Sequence, residues 1–500
     1  MKGKVYLVGA GPGDYKLLTL KGLECIRKAD VIVYDRLANI NYLKEAKKGC
    51  EFINVGKASS DHLVPQDQIN RIIADKALEG KIVTRLKGGD PFLFGRGGEE
   101  LELLSENGIP YEIIPGVTSP ISVPAYNGIP VTHRDFCSSL HIITGHKRAG
   151  QEYDIDFKAL TRTKGTLVFL MGIAALEDIC KGLLAGGMDP DMPAAVLQKG
   201  TTAGQKRVVA TVGTLKEEVD RQGIETPAII VVGKVCSLAD KFAWYEKLPL
   251  AGWKVLVTRP RQHISKTADL LRQKGAEVLE LPSICTVPVE DNGRLYEAFE
   301  KLDTYQWIIF TSPAGVEIFF DEMDRKEMDV RSLGQAKIAV IGEGTKKKLK
   351  EHHLLADFVP GVYDGDTLGA ELAKELQGNE KILIPRAEAG NKKLTELLEQ
   401  TGAQVDDIAT YTTRYEKSRL IDEKKELETG SVDCVVFTSA STVKGFVEGT
   451  KGLDYTKVKA ACIGKQTKAA ADAYGMQTRM AKKATIESLI ELVEEMKQEN

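Results

Sequence analysis

Several absences narrow the class of this chain before any motif is considered. It contains no stretch of about 18 uninterrupted apolar residues, so no membrane span is expected. Cysteine is sparse, with 8 scattered through 500 residues and no CxxC pair. That suits reduced core thiols in a cytoplasmic protein better than a disulfide framework or a zinc site. The 7 histidines show no metal-ligand spacing, and the adjacent His352 and His353 would point different ways on a helix, so no metal is expected. An excess of either charge is also missing. With a formal net charge of -3 there is no global basic field for nucleic acid or an anionic membrane surface. An anionic ligand would have to be held by local Arg and Lys. The opening MKGKVYLVGAGPGD has no small-residue cleavage pattern after its short apolar run, and reads as a first strand rather than a signal peptide.

What is present is a globular α/β composition, 43% hydrophobic and 28% charged, with 47 Gly against 18 Pro. A chain of 500 residues exceeds what one core organises, so two or more domains are expected. Short β-branched runs alternate with longer amphipathic stretches, as in KVYLVGA (4–10), ADVIVYD (29–35), KIVTRLKGG (81–89) and GTLVFLMG (165–172). This rhythm predicts parallel sheets covered by helices. TPAIIVVGKVCSL, from Thr226, reads as a last buried strand, and a polar, aromatic stretch follows at 241–254. VLVTRP (255–260) then restarts the pattern, which puts a domain boundary within 244–252.

The second half repeats itself. VLVTRPRQ at Val255 is echoed by ILIPRAEA at Ile382, IIFTSPAGVEIF at Ile308 by VVFTSASTVKGF at Val435, and IAVIGEGTKKKL at Ile338 by AACIGKQTKAAA at Ala460. Equal order and near-equal spacing imply two similar α/β units with a cleft between them, and Gly, Ser and Thr at strand-to-helix turns. Ligands of open parallel sheets bind at such strand ends.

In the first half, VGAGPGD (8–14) sets a Gly-rich turn directly after a strand, and Asp35 ends the second strand. The pattern superficially matches a dinucleotide fingerprint. Against that reading, Asp14 stands where the third glycine should be and Pro12 stiffens the turn. A second Gly-rich turn, RLKGGDPFLFGRGGEE (85–100), carries Asp90 beside Pro91. One carboxylate among glycines suits a ligand offering amino or hydroxyl donors; phosphates would call for a helix N-terminus without a nearby acid. A Pro- and hydroxyl-rich loop at 115–135 ends in His133, Arg134 and Asp135.

GAGPGD, YDRL, VGK, VPQ, RLKGGDPFLFGRGGEE, PGVTS, GIPVTHRD and TGH occur in the order seen in uroporphyrinogen-III C-methyltransferases, and residues 3–240 resemble that family. The resemblance implies a tetrapyrrole methyltransferase fold of two α/β subdomains, a homodimer formed through this half, and S-adenosyl-L-methionine bound in the cleft, leaving S-adenosyl-L-homocysteine as product. The implied cofactor contacts are Pro12, Gly88, Gly89, Asp90, Leu93, Thr118, Ser119, Met171, Gly200 and Ala228. The family often has Thr-Ala where this chain has Thr118-Ser119, which bears only on packing. Asp35 and Lys57 match positions suggested as proton acceptor and donor; the plain alternatives are a helix-capping Asp35 and a solvated Lys57. The tetrapyrrole substrate carries eight carboxylates, for which Arg36, Arg96 and Arg134 are candidates because guanidinium groups bind carboxylates bidentately. A structural ion pair is the alternative for each.

Residues 252–500 resemble uroporphyrinogen-III synthase, through VLVTRP, FTSPAGV, VIGEGT, LIPRAE, DIATYTTRY (407–415), FTSAS and CIGKQT. The resemblance implies a two-lobed α/β fold, with residues 252–283 and 415–500 in one lobe and 284–414 in the other. It implies closure of hydroxymethylbilane to uroporphyrinogen III with inversion of ring D and no cofactor. Tyr411 matches the residue that hydrogen-bonds the departing hydroxyl, with aromatic packing at a strand end as the alternative. Ser312 and Ser439, with Ser441, Thr345 and Thr467, sit at repeated turns as either ligand contacts or helix N-caps. Arg259 and Arg386 occupy equivalent repeat positions and are the anion-binding candidates.

Together the resemblances imply a bifunctional enzyme: residues 1–245 methylate the product of 252–500 twice, at C2 and C7, giving precorrin-2 for sirohaem or cobalamin. Two rivals stay open. One is a nicotinamide-dependent oxidoreductase, favoured only by the first glycine turn; the other makes the C-terminal half a noncatalytic binding or regulatory module.

Overall fold

The computed structural model describes residues 2–56, 64–145, 155–258, 264–281, 284–388, 390, 392–415 and 423–499. Among the described residues are four five-stranded sheets. The first consists of β1 (Lys4–Gly9), β2 (Val31–Tyr34), β3 (Glu51–Asn54), β4 (Ile82–Lys87) and β5 (Tyr111–Ile114), in the order β3-β2-β4-β1-β5. Every pairing in it is parallel. Both of its faces are therefore covered at the centre of the sheet, and β1 and β2 read as near-continuous apolar runs. Val5, Leu7, Val31 and Val33 pack on Ile69, Ile73 and Leu104 from one side, while Val8, Ile32 and Leu86 pack on Cys25, Ile26 and Tyr42 from the other.

The second sheet is β6 (Leu140–Thr144), β7 (Thr166–Leu170), β8 (Pro193–Gln198), β9 (Lys206–Thr211) and β10 (Ala228–Val232), ordered β6-β7-β10-β8-β9. Only β6 and β7 pair in parallel; the other three pairings are antiparallel. This departs from the uniform parallel pattern expected from sequence. The 199–205 connection between β8 and β9 is too short for a helical crossover, so the two form a hairpin. The last strand of the half, β10, is fully buried and central in the sheet.

Beyond it run β11 (Lys254–Thr258), β12 (Glu277–Leu281), β13 (Ile284–Pro288), β14 (Trp307–Phe310), β15 (Lys337–Val340), β16 (Lys381–Ala387), β17 (Gln404–Tyr415), β18 (Cys434–Phe437), β19 (Lys459–Cys462) and β20 (Gln477–Met480). They form two sheets, β12-β11-β18-β19-β20 and β13-β17-β16-β14-β15. The sequence repeat maps β11 onto β16, β14 onto β18 and β15 onto β19. The sheet orders obey the same mapping, but each sheet takes strands from both copies: β18 returns to pair with β11, and β14 pairs with β16. The repeated units are thus interleaved in space rather than contiguous.

The side chains of seven of the eight cysteines are described, and these seven are free. Burial raises the thiols of Cys434 and Cys462 to about 12 and that of Cys180 to about 11, so at neutral pH they are protonated core groups. Among the described residues no helix is long and apolar enough to cross a membrane.

Candidate functional site

A cavity of about 1180 Å³ opens at the carboxyl ends of the first sheet's strands and is closed from the other side by the second sheet. Loops following β1, β2, β4 and β5 supply one wall; the ends of β7 and β8 and the start of β10 supply the other. The loop after β4 comes very close to its neighbours. Gly11 and Gly89 exchange backbone bonds at 3.2 and 2.8 Å, and a Cβ on Gly116 would lie 2.3 Å from the Gly89 carbonyl oxygen. Gly89 has φ +68° with nothing within 4 Å of where its Cβ would be, so bare backbone faces open space there.

All ten residues expected to hold the cofactor line this one cavity: Pro12, Gly88, Gly89, Asp90, Leu93, Thr118, Ser119, Met171, Gly200 and Ala228. Thr118 stands before the helix Ser119–Tyr126 and makes no side-chain cap bond. Asp90 differs from the expectation of a carboxylate kept for ligand donors. Its oxygens accept backbone bonds from Phe92 (2.8 Å), Leu93 (3.1 Å) and Gly116 (3.0 Å), which clamps the loop to β5's exit. Four non-glycine residues with positive φ, Phe94, Met171, Lys199 and Thr201, also line the cavity, a concentration of backbone strain that no sequence motif announces.

The charged candidates separate. Arg36 lines the cavity; Asp35 does not, and instead accepts the Leu37 N–H at 3.0 Å and faces Arg85 at 3.7 Å. Arg85 belongs to a buried cluster that sequence reasoning missed: Glu100 Oε1 accepts from Arg85 Nε (3.1 Å) and Lys87 Nζ (2.8 Å). Glu100 Oε2 is buried with no hydrogen-bond partner among the described residues. Burial, and next the Arg85 charge, push the Lys87 ammonium below its ordinary pKa. The alternation of Arg85 and Lys87 on β4 was the available signal, since both side chains leave the same face. Arg96 is exposed, bonds Glu99 at 2.9 and 2.5 Å, and lies outside the cavity lining. Arg134 is exposed and also outside the lining. Lys57 and Arg259 lie outside the described residues.

A second cavity, of about 560 Å³, is lined by the ends of β14, β15 and β16 and the segments after them, among them Thr311, Thr367 and Arg386, with Gln466 reaching in from the other C-terminal sheet's side. Arg386 corrects an expectation. Its guanidinium is buried and held by both oxygens of Asp407, and Thr395 donates to the same carboxylate at 2.7 Å. Its charge is thus already neutralised within the protein and is not free for a ligand anion. Ser312 and Ser439 are N-caps: Ser312 Oγ accepts from Gly315 N at 2.9 Å, and Ser439 forms a capping box with Thr442. Thr345 and Thr467 lie buried inside the following helices, whose N-caps are Gly342 and Gly464. Ser312 also shares a 2.6 Å hydrogen bond with the hydroxyl of Tyr411. Burial raises the Tyr411 phenol above its ordinary value, which keeps it a proton carrier at neutral pH.

Comparison with known proteins assigns both halves. The family model for tetrapyrrole (corrin/porphyrin) methylases matches residues 4–216, and that for uroporphyrinogen-III synthase HemD matches 265–491. A relative from Ruminiclostridium josui, described as porphyrin biosynthesis protein HemD, is 47% identical over 489 residues, covering 98% of this chain and 97% of its own. The chain belongs to this family of fused tetrapyrrole methylase and uroporphyrinogen-III synthase. A uroporphyrinogen-III C-methyltransferase of Bacillus subtilis (strain 168) is 41% identical over 356 residues, 71% of this chain and 72% of the relative. A solved uroporphyrin-III C-methyl transferase from Thermus thermophilus, complexed with S-adenosyl homocysteine, is 38% identical and covers 47% of this chain and 99% of its own, with a TM-score of 0.41.

The protein is accordingly a bifunctional enzyme of tetrapyrrole biosynthesis, and its first cavity lies in an S-adenosylmethionine-dependent methylase half. The turn of that half, at 11–15, is fixed by side chains from outside the motif that forms it. Tyr126 donates to Asp14 Oδ2 at 2.7 Å, and Asp14 N donates to Thr201 Oγ1 at 3.1 Å, tying the first sheet's loop to the second.

Proposed function

We propose that this chain converts hydroxymethylbilane into precorrin-2, closing it to uroporphyrinogen III with ring D inverted and then methylating C2 and C7. The observation that carries the reading is the gathering of all ten expected cofactor residues around one cavity. The cavity is large enough for a nucleoside-bearing methyl donor, since small-molecule sites typically measure roughly 300–1,000 Å³. The fit is also chemical: bare backbone at Gly89 faces open space that any side chain there would begin to fill.

S-adenosyl-L-methionine supplies, when bound, a methyl group on a positively charged sulfur, and S-adenosyl-L-homocysteine leaves. The electron-rich tetrapyrrole carbon needs no strong base to accept the methyl, so the main duty of the protein is alignment. Pro12, Gly88, Gly89, Asp90 and Leu93, with Thr118, Ser119, Met171, Gly200 and Ala228, hold the donor. Arg36 meets substrate carboxylates, with Arg96 and Arg134 nearer solvent. Asp35, steadied by Arg85, accepts the proton released from the methylated framework. In the synthase half Tyr411 donates its proton to the departing hydroxyl, which leaves as water, while Ser312 keeps the phenol oriented. Ser439 and Arg259 border the substrate, and no cofactor is required.

In this reading the methyltransferase comprises residues 1–245 and the synthase 252–500, with one lobe of 252–283 and 415–500 and the other of 284–414. The interleaved strands of the two C-terminal sheets support that division. The enzyme acts in the cytoplasm as a homodimer formed through its methylase half, on small tetrapyrroles rather than nucleic acid or membrane, toward sirohaem or cobalamin.

The test supplies hydroxymethylbilane with labelled S-adenosylmethionine. A doubly methylated, labelled product is expected, and uroporphyrinogen III when the donor is withheld. Appearance of only the spontaneous uroporphyrinogen I isomer removes the synthase assignment. A folded protein that leaves the product unlabelled removes the methyltransferase assignment.

A further inference from the structure

The methylase half does not close the wall of its cavity alone. Arg272, at the end of the helix Ile264–Gln273 in the synthase half, lines it together with Tyr15. The guanidinium sits 4.3 Å from the centre of the Tyr15 ring. Tyr15 in turn stacks on Tyr42 at 5.2 Å and donates its hydroxyl to Glu45 at 2.9 Å. Arg272 has a side chain only 9% exposed, held by Glu280 at 2.5 Å and Asp269 at 3.6 Å, and Lys16 reaches the same Asp269 at 2.9 Å. A cation over an aromatic face in so dry a place is worth more than at the surface.

A second line of bonds runs the same way. Asn41 donates to Val278 O at 2.9 Å and accepts from Glu280 N at 3.4 Å, standing in for a neighbouring strand along the open edge of β12. It also donates to Asn39 Oδ1 at 3.0 Å, and Asn39 donates to Gly13 O at 2.7 Å. Tyr42 donates to Asp14 O at 3.1 Å. The cofactor-side turn at 11–15 is therefore gripped from the synthase half through Tyr15 and through the Asn41–Asn39 pair.

We propose that Arg272 is a positioning residue for the methyl-donor site: by fixing Tyr15 it fixes the 11–15 turn that carries Pro12, so the synthase half helps to set the donor affinity of the methylase half. The inference rests on the methyl-donor reading of the first cavity. It gives a physical reason for keeping both activities on one chain, because the coupling needs the synthase half docked.

The experiment measures S-adenosylhomocysteine binding to the full-length chain by calorimetry, for the unaltered protein, Arg272→Ala and Arg272→Lys. Arg272→Ala is expected to weaken binding by about thirtyfold, on the scale of one desolvated cation–π contact, and Arg272→Lys by less, because it keeps the cation. KM for S-adenosylmethionine should rise in parallel while kcat for methyl transfer and the synthase rate hold. Equal affinity in Arg272→Ala and the unaltered chain overturns the inference, as does a lowered kcat at unchanged affinity. If the unaltered chain itself does not bind S-adenosylhomocysteine, the methyl-donor reading is what fails. Should Arg272→Ala not fold, Arg272→Met, which keeps the buried aliphatic stem and removes only the cation, is judged by the same affinities.

Discussion

At the scale of single residues, the ten expected cofactor contacts line one cavity, whereas Asp35, Arg96 and Arg134 lie outside its lining. Asp90 lines the cavity, yet its carboxylate holds three backbone N–H groups. Hydrogen bonds to a charged group contribute about 1.5–3 kcal/mol each and do not simply add. Asp90→Ala is therefore expected to lower the unfolding free energy by about 3–4 kcal/mol and to abolish S-adenosylhomocysteine binding, as read by urea denaturation and calorimetry. An Asp90→Ala protein of undiminished stability would show that the clamp is not needed. Arg386 makes the complementary point. Its repeat position was legible in the sequence, but the Asp407 carboxylate that neutralises it is brought across by pairing of β16 with β17. Spacing along a chain gives no sign of which opposite charge a neighbouring strand will deliver.

At the scale of elements, most strands and the turn chemistry between them could be read directly. The apolar run at 228–232 became a strand buried on both faces, and Ser312 and Ser439 begin helices at the repeated turns. The choice between cap and ligand contact could not be read, because both uses need a hydroxyl at the same place. Ser439→Ala is expected to cost about 1 kcal/mol through loss of the capping box, seen as a lower denaturation midpoint with methyl transfer unchanged. No loss of stability would argue that the helix Ala440–Gly449 is held by packing alone. Strand direction was the main element-level miss. Apolar runs look alike in parallel and antiparallel neighbours, and only the short 199–205 connection betrayed a hairpin between β8 and β9.

At the scale of the whole molecule, the halves meet along the edge of β12, where Asn41 satisfies backbone groups that would otherwise be left at an open strand. Asn41→Ala strands the Val278 carbonyl in a buried position, and a cost of about 1–3 kcal/mol is expected. The fluorescence of Trp244 and Trp253, which flank the junction, should report it as a lower urea midpoint; an unchanged midpoint would mean that water replaces the amide without loss. By itself the sequence determined that the chain is α/β, that it holds two halves with a repeat in the second, and where its Gly-rich turns lie. Those features follow from local periodicity, turn chemistry and ordered motifs, all of which are written along the chain. Only the tertiary structure decided that the repeats exchange strands, that Glu100 gathers Arg85 and Lys87, that Asp407 occupies Arg386, and that Arg272 reaches the wall of the methylase cavity. Each of these joins residues on different elements, and such meetings are set by how sheets and helices bury their apolar faces rather than by any local pattern.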